Sequence, residues 1–114
     1  MNSKQYDICI QEAQQYTDRD AYVSDLSLSS MWEDEEGAEV PSYRIRILAS
    51  IWDAVHRSFR EILTDGDVSR TEFSLRFSVP LRTVENWLAG TREPPLYVRL
   101  AFQQLLGLHM IAID

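Results

Sequence analysis

Helix-stopping residues divide the second half of this chain into short pieces: Gly66, Pro80, Gly90, the pair Pro94-Pro95 and Gly107. Proline lacks the N–H that a helix interior needs, and glycine accepts the left-handed backbone that closes a helix. Helices this short are marginal alone, so they must press against one another, at steep angles, to persist. Ser69-Arg70-Thr71-Glu72 has the form of a capping box, with Ser69 at the N-cap and Glu72 at the third helical position. Phe73 and Phe77 form the buried side of the helix it opens. Ser78-Val79-Pro80 is a turn, and the next helix starts at Leu81, runs through Val84, Trp87 and Leu88, and stops at Gly90. Residues 91–93 make a loop. Pro94-Pro95 then start a closing helix over 95–106, with Val98, Ala101, Phe102 and Leu105 on its inner face.

Upstream the pattern is longer. After Val40-Pro41-Ser42, the residues Ile47, Leu48, Ile51, Trp52, Val55, Phe59, Ile62 and Leu63 recur every three or four positions. That period predicts one amphipathic helix over 41–64, ended by Asp65-Gly66. Trp52 and Trp87 are expected to be largely buried and to join it to the short helices, in one core with Phe73, Phe77, Val79, Val84 and Phe102. Tyr6, Cys9, Ile10, Ala13 and Tyr16 lie at helical spacing within residues 3–17. Asp18 caps a second stretch, whose apolar members are Tyr22, Val23, Leu26 and Met31 or Trp32. In Glu33-Asp34-Glu35-Glu36-Gly37 four adjacent carboxylates repel and the glycine breaks the backbone, which predicts an exposed loop. The expected fold is all-α, with about six or seven helices and no sheet of consequence. It divides into an acidic helical extension over 1–40 and a domain over 41–114.

Charge is unevenly placed. Residues 1–42 hold ten acidic side chains and only Lys4 and Arg19 as bases, whereas residues 43–114 hold nine arginines against eight acids, within a net charge of −7. An acidic chain is an unpromising nucleic-acid binder, and the arginines of the second part soften that objection. The single cysteine, Cys9, excludes an intramolecular disulfide and suits a reducing compartment. No apolar run follows a basic start and none is long enough for a membrane span, so a cytoplasmic location is expected. His56, His109 and Cys9 lie far apart in sequence, and Asp65-Gly66-Asp67 lacks the remaining ligands of a calcium loop. No Ser-His-Asp set, Gly-rich phosphate loop or pair of catalytic carboxylates can be placed. The expectation is a chain without metal, cofactor or enzymatic activity.

The stretch from Val68 to Pro95, VSRTEFSLRFSVPLRTVENWLAGTREPP, resembles the lambda-repressor/Cro-like (Xre-type) helix-turn-helix family. That family's pattern is a short helix, a tight turn holding a buried valine, and a recognition helix with Thr-Val and Trp at fixed offsets, followed by Gly and then Pro. Val79, Thr83, Val84, Trp87, Gly90 and Pro94 fall in register with it. The likeness extends to Leu106 and to the preceding helix, and it implies a helix-turn-helix over 69–89.

By the same resemblance Leu81, Arg82, Glu85 and Asn86 read bases, while Arg70, Thr83 and Arg92 hold phosphates. The chemistry fits, because Arg can pair with guanine, Asn with adenine and Glu with cytosine, and Leu can meet a thymine methyl. One position departs from the pattern: the first residue after the cap is commonly Gln, and here it is Arg70, which serves a phosphate equally well. Glu85, beside these contacts, would repel phosphate. The implied function is a sequence-specific transcriptional regulator, a repressor of bacterial or phage-like origin, bound to double-stranded DNA as a homodimer on a palindromic site. Its dimer surface is expected in the N-terminal helices, the helix 41–64 or the apolar tail Leu108–Ile113. The alternative is an anti-CRISPR-like or antitoxin-like inhibitor, in which Glu33, Asp34, Glu35 and Glu36 bind a protein partner by mimicking DNA.

Overall fold

The computed structural model describes residues 1–32 and 41–113. Among them seven α-helices and no strand are formed: α1 Ser3–Ala13, α2 Arg19–Ser27, α3 Ser42–His56, α4 Phe59–Asp65, α5 Arg70–Phe77, α6 Leu81–Leu88 and α7 Leu96–Leu105. No helix is long and apolar enough to cross a membrane among the described residues. The acidic run Glu33–Glu36 lies outside them. The chain divides into two compact units, Met1–His56 with Ile111–Asp114, and Arg57–Met110.

The helix expected over 41–64 is two helices. The apolar period runs on through the junction, but Ser58 interrupts it in an extended conformation (φ −71°, ψ 163°) and caps α4. Its hydroxyl accepts from the Glu61 N–H, and the Glu61 carboxylate accepts from the Ser58 N–H, at 3.2 and 3.1 Å. Two otherwise orphaned donors are satisfied there, and the division between the compact units falls one residue earlier, after His56.

In the first unit α1, α2 and α3 pack together over a core of Cys9, Ala13, Tyr22, Leu26, Trp32, Leu48, Ile51, Ala54 and Val55. The Tyr22 hydroxyl donates to the Cys9 carbonyl and the Trp32 indole N–H to that of Leu26, each at 2.9 Å. Arg44 donates to the Ser27 carbonyl while its guanidinium stacks over Trp32, 4.8 Å from the ring centre. Burial pushes the Cys9 thiol up to about 11, so it stays protonated. Trp52 corrects its expected role. It is half-buried, stacks on His56 and donates its indole N–H to the Tyr16 carbonyl, so its partners are residues of this first unit. Asn2 and Asp18 cap α1 and α2, and α1 stops at Ala13, short of Tyr16.

The second unit is built on aromatic rings. Phe59 and Phe73 are fully buried, and Phe73 touches Phe59, Phe77 and Phe102 with ring centres 5.2, 4.7 and 4.7 Å apart. Leu63, Val68 and Val84 complete this core; Phe77, Val79, Trp87, Leu88, Phe102 and Leu106 pack on it while partly exposed. Gly66 does not supply the positive φ expected of it. It sits in right-handed helical space (φ −80°), and Asp67 turns the chain at φ 53°. Glycine is needed at 66 for room, since a Cβ there would stand 2.9 Å from the Ile62 carbonyl oxygen and 3.1 Å from a Leu106 methyl.

The inner face of α7 also differs from expectation. Phe102, Leu106, Gln103 and Arg99 turn inward, whereas Ala101 and Leu105 are exposed. Gln103 is fully buried and accepts from the Arg57 guanidinium at 2.6 Å; Arg99 donates to the carbonyls of Pro94 and Arg57.

Candidate nucleic-acid interface

α5 and α6 are joined by the three residues Ser78, Val79 and Pro80, and each of them has a definite task. Ser78 takes the left-handed conformation (φ 54°, ψ 39°) that ends α5. Val79 rests against the aromatic core. Pro80 stands at the N-cap of α6 at φ −53°, a value its ring dictates. Ser74 ties the turn from within α5: its hydroxyl donates to the Val79 carbonyl at 2.7 Å, and the Val79 N–H donates to the Ser74 carbonyl at 3.1 Å. Two short helices are thereby locked into one rigid corner. The Ser69 hydroxyl caps the other end of α5 by accepting from the Glu72 N–H at 3.0 Å.

α6 is sharply two-faced. Val84 is fully buried, flanked by Trp87, whose ring meets Phe59 edge-on at 5.1 Å, and by Leu88. The opposite arc presents Leu81, Arg82, Glu85 and Asn86, all exposed. At about 100° per residue these four occupy one continuous face, with Leu81 and Glu85 a turn apart and Arg82 and Asn86 beside them. Thr83 lies half-buried on the flank of that arc. Gly90 closes the helix at φ 78°, a conformation that costs a side-chain-bearing residue about 1 kcal/mol or more.

The other two expected phosphate-holding residues lie on neighbouring segments. Arg70 is the first residue of α5 and is exposed; Arg92 is exposed in the loop between α6 and α7. Glu93, in that loop, anchors it by accepting from the Phe59 N–H at 3.4 Å. Arg60 was not among the residues singled out from sequence. It lines one shallow depression with Arg70, Val68 and Leu88, and donates to the Leu88 carbonyl at 2.8 Å. A cation there complements the negative end of α6.

Seven arginines and six carboxylates make the second unit close to neutral. Its one buried titratable group away from this face is His109, whose imidazolium is disfavoured first by burial and then by Arg57. No cluster of three or more His, Cys, Asp or Glu suited to a metal exists among the described residues. Comparison of the chain with models of known protein families, with curated proteins and with solved structures found no match.

Proposed function

We propose that Arg57–Met110 is a helix-turn-helix module and that the chain is a sequence-specific, DNA-binding transcriptional regulator. The observation that carries this reading is the exposed arc of α6. Four side chains able to address base edges stand on one face of a helix whose other face is buried and whose entry is locked by the Ser74–Val79 hydrogen bonds. In the major groove Arg82 would pair bidentately with a guanine, Asn86 with an adenine, Glu85 would accept from a cytosine amino group, and Leu81 would touch a thymine methyl. Arg70, Thr83 and Arg92 would hold phosphates and fix the register without reading sequence.

Near-neutral charge sets the affinity scale. The two cationic phosphate contacts per copy, Arg70 and Arg92, give a salt slope of about −1.8 for one copy and about −3.6 for a pair on a palindrome. Selection from a pool of random duplexes tests the reading. One enriched motif is expected, bound in a mobility shift that weakens with salt; a pool that stays random through the rounds would refute it.

The acid excess of residues 1–42 favours a second reading, in which Glu33, Asp34, Glu35 and Glu36 occupy a basic groove on a protein partner. Replacing these four by their amides separates the two. The regulator keeps its DNA affinity or gains slightly, and the inhibitor loses its partner.

A further inference from the structure

The first unit holds a cleft for which the α6 reading has no use. Its volume is about 570 Å³, inside the range of about 300–1,000 Å³ usual for small-ligand pockets. Ile8, Met31, Trp32 and Tyr43 supply its apolar walls, and the Trp32 and Tyr43 rings meet at 82° with their centres 6.4 Å apart. Two hydrogen bonds hold the wall that follows α2. The Gln5 side-chain amide, from α1, donates to the Met31 carbonyl at 3.0 Å, and the Met31 N–H donates to the Ser29 hydroxyl at 3.3 Å. The cleft is therefore pre-formed, and Met31 lends it a side chain that adapts to shape. Lys4, on the first turn of α1, is the only lysine in the chain. Among the described residues it is the one charged group lining the cleft, no carboxylate stands there, and its ammonium makes no hydrogen bond or ion pair.

We infer that this cleft binds a small aromatic carboxylate, its ring against Trp32 and Tyr43 and its charge on Lys4. Charge selects the acid. An anion gives the Lys4 ammonium a charge-assisted hydrogen bond, about twice as strong as a neutral one. A cationic ligand would meet Lys4 with no acid in the walls to offset it. The end of α1 is not itself the site: Asn2 caps it by accepting from the Gln5 N–H at 2.7 Å, which leaves the ammonium as the anion's partner. Ring geometry selects the aromatic body. Two rings at near right angles form a corner in which a third can stack on one and meet the other edge-on, the arrangements that aromatic groups prefer. Arg44 covers Trp32, 4.8 Å from the ring centre, and steadies that corner without lining the cleft. The inference concerns the first unit alone and does not depend on the DNA-binding reading of α6.

Titration of the full chain with naphthoate, followed by the indole N–H resonances, tests it. At the efficiency usual for drug-sized ligands, a molecule of about thirteen non-hydrogen atoms binds at about 1 mM. Naphthoate is expected to shift the Trp32 resonance saturably near that concentration and to leave Trp52 and Trp87, which lie outside the cleft, in place. Naphthamide, its neutral analogue, and decanoate, an acid of similar size without a ring, should each bind at least about fivefold more weakly. Lys4→Gln, at an exposed position, should weaken naphthoate by about the same factor and leave naphthamide as it was. Arg46→Gln, which removes an exposed cation of α3 outside the cleft, should bind naphthoate like the wild type. Circular dichroism confirms that each variant is folded. A Trp32 resonance that does not shift saturably overturns the inference, as do equal shifts at all three indoles. So does naphthamide or decanoate binding as tightly as naphthoate, a Lys4→Gln variant with unchanged naphthoate affinity, or an Arg46→Gln variant weakened as much as Lys4→Gln. Failure of the DNA selection with these titration results intact would instead count against the α6 reading alone.

Discussion

Replacing Phe73 by alanine is the sharpest test of the second unit's architecture. The ring is fully buried and contacts three others, those of Phe59, Phe77 and Phe102. Losing the transfer free energy of a buried phenylalanine costs about 2–3 kcal/mol. A residual cavity of about 80 Å³, at about 24 cal/mol per Å³, adds about 2 kcal/mol. The expected loss is about 4 kcal/mol, a large share of the stability of any small domain. Because the chain has two compact units, a single global signal would blur the result. The indole N–H resonances separate them in a urea titration, since Trp87 lies in the second unit and Trp32 and Trp52 lie in the first. Trp87 should lose its native resonance at far lower urea in the variant, while the other two shift little. A loss at Trp87 under about 1 kcal/mol would mean that Phe73 is not the keystone of this core.

Three further substitutions probe other parts of the fold. Gly66→Ala should destabilise by about 1–3 kcal/mol in thermal unfolding, because its methyl group meets the Ile62 carbonyl at 2.9 Å; an unchanged melting temperature would contradict that. Ser78→Val should cost at least about 1 kcal/mol and Ser78→Gly nothing, since only the left-handed backbone discriminates between them. His109 should make stability depend on pH. Its folded pKa lies below the unfolded value of 6.5, so the unfolded chain binds the extra proton in that window. Its contribution is whole above pH 6.5 and is lost as pH falls through the folded pKa. His109→Gln should flatten that limb of the stability curve measured by urea unfolding, and an unchanged limb would remove His109 as its cause.

Local chemistry was the legible part of this sequence. Asp18, Ser69, Pro80 and Gly90 fall at the helix ends their side chains predict, because capping depends on atoms a few residues away. The exposed arc of α6 followed from the same short-range period. What failed was reading periodicity across a cap. Residues 47–63 keep an apolar rhythm through residues 57 and 58, and that rhythm outweighed the Ser58-x-x-Glu61 signature that ends one helix and starts another. Ala101 and Leu105 failed for a related reason. Hydrophobicity marked them as inner, yet Arg99 and Gln103 share the inner positions with Phe102 through hydrogen bonds to Pro94 and Arg57, which no pattern of apolar residues encodes.

The most direct measurement of the central claim is the affinity of the full chain for its selected duplex and for single-base variants of it, across a salt series. Arg82→Ala and Asn86→Ala should each lose discrimination at one base position, by about 1–3 kcal/mol, with preference elsewhere retained. Arg70→Ala should weaken all duplexes alike and reduce the salt slope by about one. If Arg82→Ala and Asn86→Ala bind every duplex as the wild type does, α6 is not the reading element and the proposed function is wrong.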